Sequence, residues 1–444
     1  MKRAICLLLF ALIASIALAD ASFQVTSSTV TKKVNGRFNS TPAMALNTKT
    51  GNTLVIWERR QGSAHSILAK LLNDQGKRAS AVFTLVNSQN ISHPALAYNP
   101  DRNEFLLTFD NNPDLTLDQT NIFALRLNAK GKAIGTASIL TTDSVSSTMA
   151  NFLPLVVYNH KTSRYVAAWI REVTPQIGPG TDGLVAAQID PVTVKTVGDP
   201  VLLRLTTVEQ LGSSISLLIP IPLDVEVQPT TGKVMVGFIQ KISGTNGENA
   251  NYFAGGVAPD LSNGNNFPFT QVNGSPVNVT NSFVWSIRFA FASNGRGLVV
   301  FVDSTKLRLR KISGGGSITG PARSAFKRPK QNTRFFFPNI VFTTGSHGTR
   351  AFLIAVQNPF DEGGETTIWS QVLDGSGQRL GRPVKIQETN TTTAVHETAI
   401  SVLPHPEDSE TYPILVCFNL SGFHTPGQTL DGSGIILLNI KINF

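Results

Sequence analysis

Nine basic side chains crowd one stretch of this 444-residue chain: Lys306, Arg308, Arg310, Lys311, Arg323, Lys327, Arg328, Lys330 and Arg334, all between positions 301 and 340. One acid, Asp303, shares the stretch. The whole chain carries a formal charge of +9, from 38 Lys and Arg against 29 Asp and Glu, so most of its surplus sits here. Lys306, Arg308 and Arg310 alternate with Leu307 and Leu309, which puts the three cations on one face of a strand. Phe326-Lys-Arg-Pro-Lys330 adds a basic loop. A cluster of this kind focuses positive potential, and guanidinium forks match carboxylate, sulfate and phosphate groups. The expected chemistry is anion binding; the plainer reading is a solvated face that aids solubility.

The remaining reactive side chains form no motif. The seven histidines include His396-Glu397, but no second His follows at the spacing of a zinc protease, and His405 and His424 sit among Pro and Gly. Asp110-Asn-Asn-Pro-Asp-Leu-Thr-Leu-Asp118 has the acids of a calcium loop without its D-x-[DN]-x-[DN]-G spacing. Cys417 lies in the apolar run Ile414-Leu-Val-Cys-Phe418 and reads as a small buried hydrophobe. Neither a G-x-S-x-G elbow nor a phosphate-binding glycine loop is present. No catalytic residue, metal site or cofactor is assigned. Carboxylates facing each other across a central channel would permit glycoside hydrolysis, but a sequence does not display that pairing.

An address precedes the chemistry. Lys2 and Arg3 lead an apolar stretch from Ala4 to Leu18, and Ala17-Leu-Ala19 offers small residues at a cleavage site. This is the plan of a secretory signal peptide over residues 1–19, followed by one domain over 20–444. No later apolar run is long enough to span a bilayer. A secreted chain whose Cys417 stays alone must rest on a large core. Six N-x-S/T sequons, at Asn39, Asn90, Asn273, Asn278, Asn390 and Asn419, are glycan acceptors if the source is eukaryotic.

What positions these residues is a repeat. The first segment of each unit reads Pro42-Ala-Met-Ala-Leu-Asn47, Pro94-Ala-Leu-Ala-Tyr-Asn99 and Pro154-Leu-Val-Val-Tyr-Asn159, with weaker copies beginning at Pro222, Ile287, Pro338 and Thr398. The second is a five-residue apolar run that closes on Trp57, Phe109, Trp169, Phe238, Phe301, Val356 or Phe418. The third runs into a turn, as in Ile67-Leu-Ala-Lys-Leu-Leu-Asn-Asp-Gln-Gly76 and Ile122-Phe-Ala-Leu-Arg-Leu-Asn-Ala-Lys-Gly131. A fourth, more polar segment completes the unit, and extra length falls in loops at 110–120, 173–182 and 207–221. Apolar runs this short are strands buried on both faces. Four strands repeated seven times predict an all-β, seven-bladed propeller; two β-sandwiches or an open stack are the rivals. The last unit lacks a fourth strand, and Phe23-Gln-Val-Thr-Ser-Ser-Thr-Val-Thr31 supplies a spare one. Pairing the two would close the ring and hide both sheet edges.

Tyr98-Asn-Pro-Asp-Arg-Asn-Glu-Phe-Leu-Leu107 followed by Ile122–Gly131 resembles a repeat of secreted bacterial β-propellers, in which a Y-N-P turn, an apolar strand ending in Trp and a strand ending in L-D-x-x-G recur. The resemblance covers units one, two, three and six, and implies a fold and an extracellular setting without catalytic residues. Kelch double glycines, the WD dipeptide, Y-W-T-D and the S-x-D-x-G-x-T-W box of sialidases are absent. The expectation is therefore a secreted binding or matrix protein, a glycoprotein where its sequons are used. Its partner would be an anionic glycan or another acidic matrix component on units five and six. The secretory address argues against nucleic acid. A carbohydrate-active enzyme with carboxylates at the channel, and a purely structural matrix protein, are the alternatives.

Overall fold

An all-apolar strand needs a neighbour on each face, and a ring of sheets gives it two. The computed structural model describes residues 22–443 apart from 32–36, 113–119, 142–148, 174–182, 206, 212–213, 219, 243–248, 265–266, 274–276, 279–286, 304–305, 327–334, 358–365, 389–392, 406–408 and 423–432. Residues 1–19, where a signal peptide is expected, Asn390, Lys327, Arg328, Lys330, Arg334, His424 and most of the acidic run 110–118 thus lie outside the described residues.

The chain enters on β1 (Ser22–Thr31). Blade one is β2 (Arg37–Leu46), β3 (Thr53–Gln61), β4 (Ala64–Leu72) and β5 (Phe83–Ser88). Blade two is β6 (Ile91–Asn99), β7 (Glu104–Asn111), β8 (Asn121–Asn128) and β9 (Ser138–Ile139). Blade three is β10 (Met149–Asn159), β11 (Arg164–Val173), β12 (Gly183–Ile189) and β13 (Val201–Leu205). A separate hairpin follows, β14 (Thr207–Leu211) with β15 (Ser214–Leu218), where the sequence reading placed a loop. Blade four is β16 (Pro220–Val227), β17 (Val234–Ile242), β18 (Asn249–Val257) and a broken outer edge, β19 (Thr270–Gln271) and β20 (Val277–Asn278). Blade five is β21 (Ile287–Phe291), β22 (Gly297–Asp303), β23 (Lys306–Ile312) and β24 (Ile318–Ser324). Blade six is β25 (Phe335–Gly345), β26 (Gly348–Gln357), β27 (Thr367–Asp374) and β28 (Arg379–Glu388). Blade seven is β29 (Thr393–Val402), β30 (Thr411–Gly422) and β31 (Ser433–Asn443), with β1 as its fourth strand.

β1 pairs antiparallel with β31 from Ser22 opposite Asn443 to Thr31 opposite Ile435, the closure that the spare strand predicts. The innermost strands β2, β6, β10, β16, β21, β25 and β29 each touch the next, and β29 touches β2. The protein is an all-β, seven-bladed propeller with a closed ring. Its core is a series of layers between consecutive blades. Leu54, Ile56, Phe105 and Phe109 fill the layer of blades one and two, and Ile414, Val416, Phe352 and Ile354 that of blades six and seven.

Among the described residues every pairing is antiparallel and, apart from β1 with β31 and β18 with β20, joins consecutive strands, so the connections sort onto two ends of the ring. One end holds repeated turns. Asn47 Oδ1 accepts from the N–H groups of Lys49 and Thr50, both at 3.0 Å, and Asn99 Oδ1 from Asp101 and Arg102. Gln228 Oε1 fills the same slot in blade four, accepting from Thr231 N. Asn73, Asn128 and Asp374 likewise accept from two N–H groups each, which makes them hairpin residues. Gly76 follows Asn73 with φ at 69°, a conformation suited to glycine. The other end holds the connections from one blade to the next, such as Ser88 to Ile91.

The innermost strands carry a backbone irregularity that recurs. Thr41, His93, Leu153 and Phe337 hold φ of 47, 47, 57 and 46°. Each precedes a proline, and each sits at a bulge in the pairing with the second strand. A left-handed residue before proline costs about 1–3 kcal/mol. Blade packing on both sides of the ring must offset it.

Candidate functional site

The basic strand of the sequence is β23, and its alternation is real. Leu307 and Leu309 are buried, while Lys306, Arg308 and Arg310 take the opposite face. The leucine face meets blade six, where a Cβ added at Gly377 would lie 3.3 Å from Leu309 Cδ1. The cationic face turns toward blade four, where Arg310 Nη1 donates to Gln271 O at 3.2 Å. Arg310 Nε also donates to Gly320 O at 2.9 Å. Arg308 Nε stands 3.4 Å from Asp303 Oδ2. The two arginines are thus held in place by two neutral carbonyls and a single carboxylate, and most of their charge stays uncompensated. Lys306 and Arg323 are exposed. Lys311 is half-buried on the leucine side, and Arg323 on β24 stands opposite Leu309. Five of the nine predicted cations therefore gather on the outer half of blade five, over both of its faces.

A second charged group escaped the sequence reading. β16 pairs Asp224 with Gly237 and Glu226 with Met235, just before the aromatic Phe238. Blades one to three put Ala43, Ala95 and Leu155 at the first of these positions and Ala45, Ala97 and Val157 at the second. Blade four breaks an apolar slot twice with carboxylates, and that departure was the available signal. Asp224 Oδ2 accepts from Phe289 N at 2.6 Å. Burial raises the pKa of Asp224, opposed by Arg288 and by the Phe289 N–H. Glu226 is pushed up to about 8, first by burial and then by the charge of Asp224. Arg288 Nη1 donates to Leu223 O, which ties this group across blades four and five. The pair shares one strand face and can hold a proton near neutral pH.

Two acid–histidine pairs stand on blades one and two. Glu58 and Asp110 occupy the same slot, directly after Trp57 and Phe109, and both are buried. His93 Nδ1 lies 2.7 Å from Asp110 Oδ2, which also accepts from Leu153 N at 3.0 Å. His65 Nδ1 lies 3.7 Å from Glu58 Oε1, and Arg60 Nε donates to the same oxygen. Asp110 thereby joins blade two to blade three, a structural use of an acid that looked like part of a calcium loop. Among the described residues, no group of three or more His, Cys, Asp or Glu could hold a metal ion.

The other sequence candidates divide clearly. Trp57, Phe109, Trp169, Phe238, Phe301 and Phe418 are core side chains. Each tryptophan has its own acceptor: Trp57 Nε1 donates to Asn39 Oδ1 and Trp169 Nε1 to Asn151 Oδ1, both at 3.0 Å. The phenylalanine blades two and four have Ile91 and Pro220 in the acceptor slot, since Phe has no N–H to satisfy. Asn39, one of the sequon asparagines, is 1% exposed, with its Oδ1 accepting from the Trp57 indole. Asn273 is likewise buried, with Oδ1 accepting from Tyr252 N at 2.9 Å. A glycan needs its amide at the surface, and these two amides are interior groups. Asn90 is half-exposed; Asn278 and Asn419 fall on strands β20 and β30. Cys417 is fully buried, and burial pushes its thiol pKa up. His405 packs against Tyr412, with Nε2 3.0 Å from Thr343 Oγ1.

No family model matches this chain, and no curated protein matches it significantly. Similarity appears among solved structures. An endo-arabinase from Bacteroides thetaiotaomicron aligns with 69% of this chain and 99% of its own, at 13% identity and a TM-score of 0.36. An alpha-L-arabinanase from Penicillium chrysogenum aligns over 79% and 93%, at 12% identity and a TM-score of 0.42. Trypanosoma rangeli sialidase aligns over 94% of this chain and 59% of its own, at 9% identity and a TM-score of 0.46. These likenesses concern the arrangement of strands.

Proposed function

We propose that the chain is a glycan-directed binding propeller that takes an anionic polysaccharide, sulfated or carboxylated, on the outer half of blade five. One observation carries this reading: from Ile287 to Ser324 the blade holds seven cations and one acid. Lys306 and Arg323 are exposed there, Lys311 is half-buried on the leucine side, and Arg308 and Arg310 are pinned by their neighbours. A secretory address at residues 1–19 belongs to the same proposal, because it would deliver the protein to acidic matrix polymers.

The test is titration with heparin and with a neutral glucan across a salt series, for the native protein and a Lys306→Ser, Lys311→Ser, Arg323→Ser variant. Binding that is steep in salt, specific to heparin and weakened in the variant supports the reading. Equal weak binding by both proteins overturns it.

The carboxylates of β16 support a second reading, glycoside cleavage. A carboxyl that keeps its proton near neutral pH beside a second carboxylate is the acid–base equipment of that reaction. Release of reducing ends from polysaccharides, lost in Glu226→Gln, would establish it. A panel of glycans left intact by the native protein would remove it.

A further inference from the structure

The ring closes where blade seven meets blade one, and that seam is not filled. A groove of about 850 Å³ runs along it. One wall is the added strand β1, with Gln24, Thr26 and Ser28, beside Asn439 and Lys441 of β31. The other is Lys70 of β4 and the turn Asp74–Arg78 of blade one. The turn seats tightly at the groove floor. Asn439 Nδ2 donates to Gln75 O at 2.6 Å, and a Cβ at Gly76 would lie 2.9 Å from Asn439 Nδ2. Only a closed ring can form this groove, because its walls come from the first strand, the last strand and the first blade.

Its chemistry is one-sided. Among the described residues, Lys70, Lys77, Arg78 and Lys441 line it against a single acid, Asp74. Among the described residues none of these four cations makes an ion pair. Lys70 is half-buried beside Arg78, and both burial and that neighbour lower its pKa, so the site stands to gain from an anion. Hydroxyl and amide groups from Thr26, Ser28, Ser409, Thr411 and Gln24 complete the walls. The volume lies in the range of small-ligand sites.

We propose that the seam groove is a second binding site, separate from blade five, for a short anionic oligosaccharide. Its sulfate or carboxylate groups meet the four cations. Its hydroxyls meet the Thr, Ser and Gln side chains. Occupancy ties β1 to blade one, so the ligand stabilises the closed ring by mass action.

The experiment uses the full chain and a heparin tetrasaccharide, with a neutral tetrasaccharide of glucose as control, read by calorimetry and by thermal unfolding. Three proteins are compared: native, Lys77→Glu with Lys441→Glu, and Lys306→Glu with Arg323→Glu. Both seam positions are exposed, and unfolding without ligand verifies that each variant folds. The expected result is a ligand-induced rise in Tm and an affinity about tenfold or more weaker in the seam variant, unchanged in the blade-five variant. Loss in the blade-five variant alone would assign the tetrasaccharide to blade five and overturn the seam site. Equal affinity in all three proteins, or no binding by the native one, would overturn it too. Long-chain heparin binding lost only in the blade-five variant leaves both sites standing, so the two proposals fail separately.

Discussion

Blades one to three and blades four to six use the same slots differently. The innermost strands of the first three are near copies, with Ala43, Ala95 and Leu155 after their prolines and Asn47, Asn99 and Asn159 at their ends. In the next three the first slot holds Asp224, Arg288 and Asn339. The third strands differ too. β4 and β8 are mostly apolar, whereas β23 carries a cation at Lys306, Arg308, Arg310 and Lys311. A slot filled alike in several blades serves the ring. Filled with a charge in one blade, it serves something the ring does not require. Asn339 shows that some departures are still architectural: its Nδ2 donates to Thr398 O at 2.6 Å, joining blades six and seven.

That contrast can be broken or sharpened by substitution. Repeated slots should be costly to change. Trp169→Ala removes a buried ring and orphans Asn151, and should lose about 3–5 kcal/mol in chemical denaturation; a loss near zero would mean that blade three is not held by its layer. Asn39→Ala leaves the Trp57 indole without its acceptor and should cost about 1–3 kcal/mol. It should leave the mass of a glycosylated form unchanged, and a drop in glycan mass would contradict the buried placement.

Charged departures should behave oppositely. Glu226 has a folded pKa of about 8, above its ordinary value, so the unfolded chain ionises first as pH rises. Its neutral form is no burden at low pH. Stability should then fall between the ordinary glutamate range and about pH 8. Glu226→Gln should flatten that fall while leaving low-pH stability nearly unchanged. Urea unfolding of both proteins at pH 5 and pH 8 checks the sign, and a native stability that rises with pH over this window, with the variant following it, would refute the assignment.

The fold was legible because its slots recur. Proline-led first strands, apolar second strands and Asn–Gly turns repeat often enough to count blades, and the spare strand at Phe23–Thr31 foretold the closure. Blade four was harder to read, since Gln228 replaces the Asn of the turn and Asp224 and Glu226 interrupt the apolar strand. The hairpin Thr207–Leu218 has no counterpart among the described residues of other units, so its pattern had nothing to align with. Site residues were legible only where they were neighbours in sequence, as in Lys306–Lys311. The seam groove joins residues of 24–29, 70–78, 403–405, 409–413 and 439–441, and no local pattern links them. The burial of Asn39 was likewise hidden, because its sequon looks the same whether the amide faces water or an indole.

Long-chain heparin affinity at low and high salt, native against Lys306→Ser, Lys311→Ser, Arg323→Ser, tests the central claim most directly. The account predicts tight native binding that collapses with salt, and a variant that folds normally but binds more weakly with a shallower salt dependence. Identical affinities and identical salt dependence in the two proteins would contradict it, and would leave blade five as a solvated wall of the ring.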